Sequence, residues 1–326
     1  MPDRTFISPY DFVRLYEKLT DEDGALRRLM GRREDRVRGV WAQTTTPPRH
    51  WYNIPAVQER LNRLATGSPE TDHRAFTVRE FLKGGGLCGL SMGCGAGQKE
   101  IHWAASGVFD QLHAFDLSPK RILAAQQATQ AAGLSEKLSF VVSDAAHYQP
   151  KAASFDVLIA EASLHHFDHL EVLIPHMATW LKSGGLLILH EYVGPARFQW
   201  TQKQRSVADD LLQKLPSSHR SRWNGRGLKN KHYRPGWLPM WLYDPSEAVM
   251  SDRIMPLLHQ NFSTTLLRPL GGTVLHLLFD EIAQHFLEPD ETASKFLKLA
   301  FDTEDHLLAA GDLPSDFIFA IFHRPS

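Results

Sequence analysis

The residues of this 326-residue chain best suited to chemistry stand near its middle. The run Leu87-Cys-Gly-Leu-Ser-Met-Gly-Cys-Gly-Ala-Gly97 passes from apolar residues into a glycine turn, and Gln98 to Ala105 continues with helical spacing. A strand entering such a turn lets the backbone approach a ligand closely, and the helix behind it adds unpaired N–H donors. A dinucleotide fingerprint would need glycine at 93, 95 and 98, but position 98 is Gln98 and the third glycine is Gly97, which argues against NAD. By itself the motif fits any tight strand-to-helix turn. Beyond it come Asp116, Asp144, Glu161, the pair His165-His166 and Glu191, each able to accept hydrogen bonds or move a proton.

These groups need a frame to bring them together. After Gly84-Gly-Gly86, short apolar runs (Leu87–Leu90, Leu112–Phe115, Leu138–Val142, Val157–Ala160, Leu186–Leu189) alternate with helical stretches such as Lys120–Ala132 and Leu170–Lys182. That alternation predicts βαβ units and a buried, doubly wound parallel sheet of the α/β class, with ligands along the edge where strands end. Two late runs, Phe262–Leu267 and Phe317–Phe322, are expected to finish the sheet, with helices over 274–287 and 291–310 between them. The expected organisation is a helical N-terminal cap (1–83), a Rossmann-like core (84–198), a helical and basic lid (199–261) and a closing segment with the last strands (262–326).

Five motifs, in order, resemble the class I S-adenosylmethionine (SAM) methyltransferases: the GxGxG turn, Asp116 ending the next strand, Asp144 after the third, Leu164-His-His166 after the fourth, and Leu181-Lys-Ser-Gly-Gly185 leading into the fifth. The resemblance implies a seven-stranded sheet of order 3-2-1-4-5-7-6, the last strand (Asp316–His323) lying antiparallel beside the fifth. It implies SAM as cofactor, with S-adenosylhomocysteine as product. Gly93, Gly95 and Gly97 would line the methionine side, Asp116 with Leu117 the ribose, and Asp144 with Ala145 the adenine. Asp116 is not needed as a helix cap, because Ser118 before Pro119 fills that role. The chain departs from the family where many members place an acid two residues before the first glycine. Ser91 stands there, and Glu161 is the candidate to supply the missing countercharge.

Methyl transfer from a sulfonium needs in-line positioning, which contributes ~7–11 kcal/mol, and a hydroxyl or protonated amine acceptor also needs a base worth a factor of ~10²–10⁴. His165, His166 and Glu191 are the catalytic candidates, His165 first, since plant-type O-methyltransferases of similar core use a His after strand four. The bland alternative is that Leu-His-His only caps and packs the next helix. Between Arg197 and Arg234 ten basic residues face only Asp209 and Asp210 among the acids. With Trp200, Trp223, His232, Tyr233, Trp237 and Trp241 they suggest a basic, aromatic lid, in which Tyr192, Arg197, Arg220, Trp223, Arg226, Lys229 and Tyr233 are candidate acceptor contacts. That reading favours an anionic small molecule, methylated on oxygen or nitrogen.

Composition narrows the alternatives. With 36 Lys plus Arg against 37 Asp plus Glu, the net charge of −1 names no partner. A nucleic-acid methyltransferase, which would use the Arg27–Arg38 stretch, is disfavoured by that neutrality and by Glu161-Ala-Ser-Leu standing where an amino-methylation motif would be. A catalytically silent SAM-binding module is the other alternative. Apolar runs are strand-sized, far below the ~20 residues of a membrane span. Two nearby cysteines, Cys88 and Cys94, fit a reducing compartment, so a cytoplasmic protein is expected. Histidine spacing gives no convincing metal set, no metal is expected, and a homodimer is allowed without being specified.

Overall fold

The computed structural model describes residues 5–8, 11, 50–225, 227–243 and 245–325. Seven strands form one sheet: β1 (Leu87–Met92), β2 (Phe109–Asp116), β3 (Leu138–Val142), β4 (Phe155–Glu161), β5 (Leu181–Tyr192), β6 (Ser263–Gly271) and β7 (Phe317–His323). Their order is β3-β2-β1-β4-β5-β7-β6. The pairings among the first five are parallel, while β7 runs antiparallel between β5 and β6. This is the order the motifs implied.

Alternation along the strands splits the core into two layers. Val157, Ile159, Ile188, Phe319 and Ile321 face one side, where α1 (Pro55–Thr66), α6 (Gln202–Leu212), α9 (Leu275–Phe279) and α10 (Glu291–Ala309) contribute Val57, Leu211, Leu278 and Phe296. Leu158, Ala160, Leu187, Leu189 and Phe322 face the other, against Ile174 of α5 (Leu170–Trp180) and Ile254 of α8 (Ser251–Asn261). A strand apolar on both sides, such as Phe155–Glu161, is what a sheet covered on both faces requires.

Local signals set the helix starts. Asp72 caps α2 (His73–Phe81) by accepting from Ala75 N at 2.8 Å, and Ser118 caps α4 (Pro119–Ala131). Thr201 and Gln204 form a capping box on α6. The helix expected over 274–287 is interrupted: α9 ends at Phe279, and a single 3-10 turn follows at Ala283–Phe286. The break lies where Glu281 takes a left-handed φ of 67°, accepts the Trp223 amide at its carbonyl and pairs with Arg222 through its carboxylate. Docking of Arg222 and Trp223 overrides local helical spacing there.

Two buried acids tie late elements to the sheet. Glu304 of α10 accepts from Gly272 N (3.1 Å), Val274 N (2.8 Å) and Leu275 N (3.1 Å), and pairs with Arg60 of α1. Asp316, before β7, accepts from Gln204 Nε2 at 2.9 Å, and burial pushes its carboxyl up to about 8. The Arg27–Arg38 stretch and most of the expected N-terminal cap lie outside the described residues.

Candidate active site

Register brings the C-terminal ends of the strands to one edge: Ser91 pairs with Ala114 and Ile159, Asp116 with Val142, and Glu161 with His190. Gly93, Gly95 and Gly97 then turn through left-handed φ values of 68°, 58° and 79°. A Cβ on Gly97 would lie 2.7 Å from Ala125 Cβ and 3.1 Å from its Cα, so helix α4 packs directly on the loop. The loop is fastened to Asp116, whose Oδ2 accepts from Gly95 N at 2.9 Å and whose Oδ1 accepts from Ser118 N at 2.8 Å. A carboxylate has about four acceptor sites, so one lone pair on each oxygen remains for a pair of hydroxyls. Leu117 follows, half-buried. Asp144 and Ala145 stand beyond β3, where Asp144 accepts from the His147 amide at 2.7 Å and packs its carboxylate against that imidazole. Ala145 packs on the second core layer.

The region around Ser91 differs from expectation. Glu161 is buried but already engaged: Arg74 grips it with Nε and Nη2, Trp103 Nε1 donates at 2.6 Å, and His73 Nε2 is 3.4 Å away. Burial alone would raise its carboxyl, yet His73, Arg74 and Lys99 hold it well below the usual range. Glu161 therefore locks α2 and α3 (Gln98–Ala105) to the sheet, and its carboxylate is not the one facing Ser91. That carboxylate belongs to Glu100, on the first turn of α3. Ser91 Oγ donates to Glu100 Oε1 at 2.6 Å, while the buried Oε2 has no hydrogen-bond partner. Burial raises the Glu100 carboxyl above its ordinary value. The nearby Lys99 ammonium is bonded to the Glu161 carbonyl.

The catalytic candidates converge at the ends of β4 and β5. Glu191 is fully enclosed and accepts from Ser163 N (2.9 Å), Leu164 N (2.7 Å) and Tyr192 N (2.7 Å). It also takes the Nδ1–H of His165, which leaves His165 Nε2 aimed at Glu247 Oε1, 3.6 Å away. Burial would depress the His165 imidazole, but Glu191 and then Glu247 hold it above the ordinary range. His166, with Nδ1 3.8 Å from Glu247 Oε2, is pushed well below that range by burial and by His165. Tyr192 donates its hydroxyl to the Pro195 carbonyl at 3.0 Å.

The lid residues sort differently from their charge count. Arg197, at a left-handed φ of 54°, clamps the Pro245 (2.8 Å) and Glu247 (3.1 Å) carbonyls. Arg220 bonds Asn230, Arg222 pairs with Glu281, and Arg234 holds the Trp200 carbonyl. Lys229 is buried, its ammonium lowered to about 7 by desolvation, and it donates to the Leu277, Leu278 and Asp280 carbonyls. Those cations are engaged by residues of the segment expected as a lid and of the stretch after it. Trp223 and Tyr233 are partly exposed, and Arg226 lies outside the described residues. A cavity beside these residues is walled by Phe198, Trp200, Tyr233, Met240 and His276, with Glu247 in its lining. Lys229, Arg222 and Lys231 share that wall with Asp280, Glu281 and Asp11, so it carries no net basic face. Sequence reading missed Glu100, Arg74 and Glu247. Glu100 was findable one turn past the glycines, whereas Glu247 has no local signal.

Comparison with known proteins bears on the domain and its fold. Residues 90–189 match the family model described as a methyltransferase domain. Ajmaline N-methyltransferase of Rauvolfia serpentina is 28% identical over 185 residues, covering 52% of this chain and 62% of the relative. Malonyl-[acyl-carrier protein] O-methyltransferase 2 of Ilyobacter polytropus is 26% identical over 125 residues, covering 37% and 46%. The chain thus spans less than two thirds of the length of these curated relatives. Among solved structures, geranyl diphosphate C-methyltransferase from Streptomyces coelicolor A3(2) superposes with a TM-score of 0.50 at 11% identity, over 91% of this chain and 99% of that one, a likeness of fold alone. The matched residues span most of β1 to β5, within a sheet whose strand order is the one the sequence resemblance implied. No helix among the described residues is long and apolar enough to cross a membrane.

Proposed function

We propose that this chain binds SAM along the edge formed by β1, β2 and β3 and methylates a small molecule held under the lid. When bound, the cofactor supplies a methyl group on a positively charged sulfur. The observation that carries the reading is the loop of Gly93, Gly95 and Gly97, packed on Ala125 and fastened to Asp116, within a segment matching a methyltransferase domain. Asp116 offers its remaining lone pairs to ribose hydroxyls, with Leu117 beside them, and Asp144 and Ala145 border the adenine. The unpartnered oxygen of buried Glu100 fits an ammonium, and Ser91 holds that carboxylate in place. Glu100 thus supplies the countercharge that position 91 lacks.

On the acceptor side, His165 takes the proton through Nε2, with its other nitrogen fixed by Glu191. His166 packs beside it, their ring centroids 3.9 Å apart. The aromatic cavity wall suits an apolar-bodied acceptor bearing a hydroxyl or amine. An anionic acceptor, the reading drawn from the count of basic residues, is less favoured because those residues engage the lid itself. Calorimetry with SAM and S-adenosylhomocysteine tests the core of this proposal: saturable binding of both supports it, and binding of NAD in their place overturns it.

A further inference from the structure

We propose that His165, His166 and Glu247 form a binding site for a divalent transition-metal ion. The three side chains each offer one ligand atom, and these atoms lie within 4.8 Å of one another. A tetrahedral ion with bonds of ~2.0–2.2 Å spaces its donors at ~3.4 Å. The separations here are 3.6 Å for His165 Nε2 to Glu247 Oε1 and 3.8 Å for His166 Nδ1 to Glu247 Oε2, so modest side-chain movement closes the site.

The surroundings have the form of a supported metal centre. Ligating histidines characteristically donate their second ring nitrogen to a carboxylate, which fixes the ring. Glu191 does this for His165, and three backbone amides hold Glu191 in turn. The third ligand is also held from two sides. Arg197 clamps the Pro245 and Glu247 carbonyls, and the Val249 amide donates to the His165 carbonyl, so the turn carrying Glu247 is tied to the histidine segment. Two imidazoles and one carboxylate select zinc, cobalt or nickel over magnesium or calcium, which prefer all-oxygen sites. Glu247 also lines the cavity, so the site borders that space.

Loading the site has a defined chemical consequence. The His165 Nε2 lone pair goes to the ion and any proton there goes to solvent, so the same atom no longer serves as a base. Zinc is therefore expected to inhibit methyl transfer. That consequence rests on the function proposed above, whereas the metal site itself does not.

Calorimetric titration of the EDTA-dialysed full chain with ZnCl2 tests the site. One equivalent should bind, MgCl2 should give no saturable heat at the same concentrations, and His166→Ala and Glu247→Gln should each weaken zinc at least tenfold. S-adenosylhomocysteine binding, measured on the same variants, reports that they are folded and stands or falls separately. Absence of a saturable zinc event, equal binding of magnesium, or unchanged zinc affinity in both variants would overturn the proposal.

Discussion

Ser91 donates its hydroxyl hydrogen to Glu100 at 2.6 Å, placing a buried carboxylate where the first strand meets the glycine loop. If this carboxylate meets the cofactor ammonium, Glu100→Gln removes a charge-assisted hydrogen bond worth ~1.5–3 kcal/mol, a ten- to hundredfold weaker dissociation constant for SAM. The raised carboxyl also gives a sign for stability. Its charged form is disfavoured in the fold, so the cofactor-free variant should melt no lower than the parent near neutral pH. A variant that melts lower but binds SAM normally would reverse the assignment.

Gly97→Ala should be severe. The added methyl meets Ala125 Cβ at 2.7 Å, and the residue must still adopt a φ of 79°. Overpacking and a left-handed alanine each cost ~1–3 kcal/mol. Chemical denaturation should show that loss, and S-adenosylhomocysteine should bind poorly to the folded fraction.

His165→Ala is expected to lower turnover by ~10²–10⁴ while cofactor affinity stays within twofold (a factor of about 2 is the resolution of such titrations), because a general base acts only on the acceptor. Single-turnover kinetics with any accepted substrate checks this. Equal turnover in the variant would return the histidine to a purely packing role.

The carboxyl of Asp316 gives a pH prediction. Its folded value, about 8, exceeds the ordinary carboxylate value, so the folded state keeps a proton that the unfolded state loses. This contribution to stability is therefore greatest below pH ~4, falls as pH rises toward 8, and is then constant. Asp316→Asn should flatten that part of the melting-temperature profile and raise the melting temperature at pH 8. An unchanged slope between pH 5 and 8 would refute it.

Glu304→Ala leaves the buried Gly272, Val274 and Leu275 amides without their shared acceptor and takes one of two acidic partners from Arg60, which keeps Asp305 at 2.7 Å. Breaking one partner from a buried charged network costs ~3–5 kcal/mol. Urea denaturation should show a shift of that size with the midpoint moving and the slope retained.

Much of this architecture is legible in the residues themselves. Strands buried on both faces read as apolar runs, glycines mark the loop, and Ser118 announces a helix start, so the α/β core follows from local pattern, whereas the sheet order came from the resemblance of the ordered motifs to a family. Glu100 escaped because an acid in the first turn of a helix looks like an ordinary response to the helix dipole. The engagement of Glu161 was not visible because nothing near it in sequence reveals that Arg74 and Trp103 will converge on its carboxylate. The lid was harder still. Counting cations shows how many there are but not that Arg197, Arg222 and Lys229 spend their donors on carbonyls and an acid brought near only by folding. Glu247 meets His165 across more than eighty residues, and no local periodicity encodes such an encounter.

The position of β7 between β5 and β6 has a consequence for how the chain is made. Once β5 emerges from the ribosome, its outer edge presents open hydrogen-bonding groups until residues 317–323 return across the whole stretch from 193 to 316. Such a distant closure is slow, and an open edge is a template for wrong pairing with another nascent chain. The half carrying β1–β5 can therefore assemble early, while the half that completes the sheet must wait, making translation speed and chaperone access factors in the yield of the native molecule.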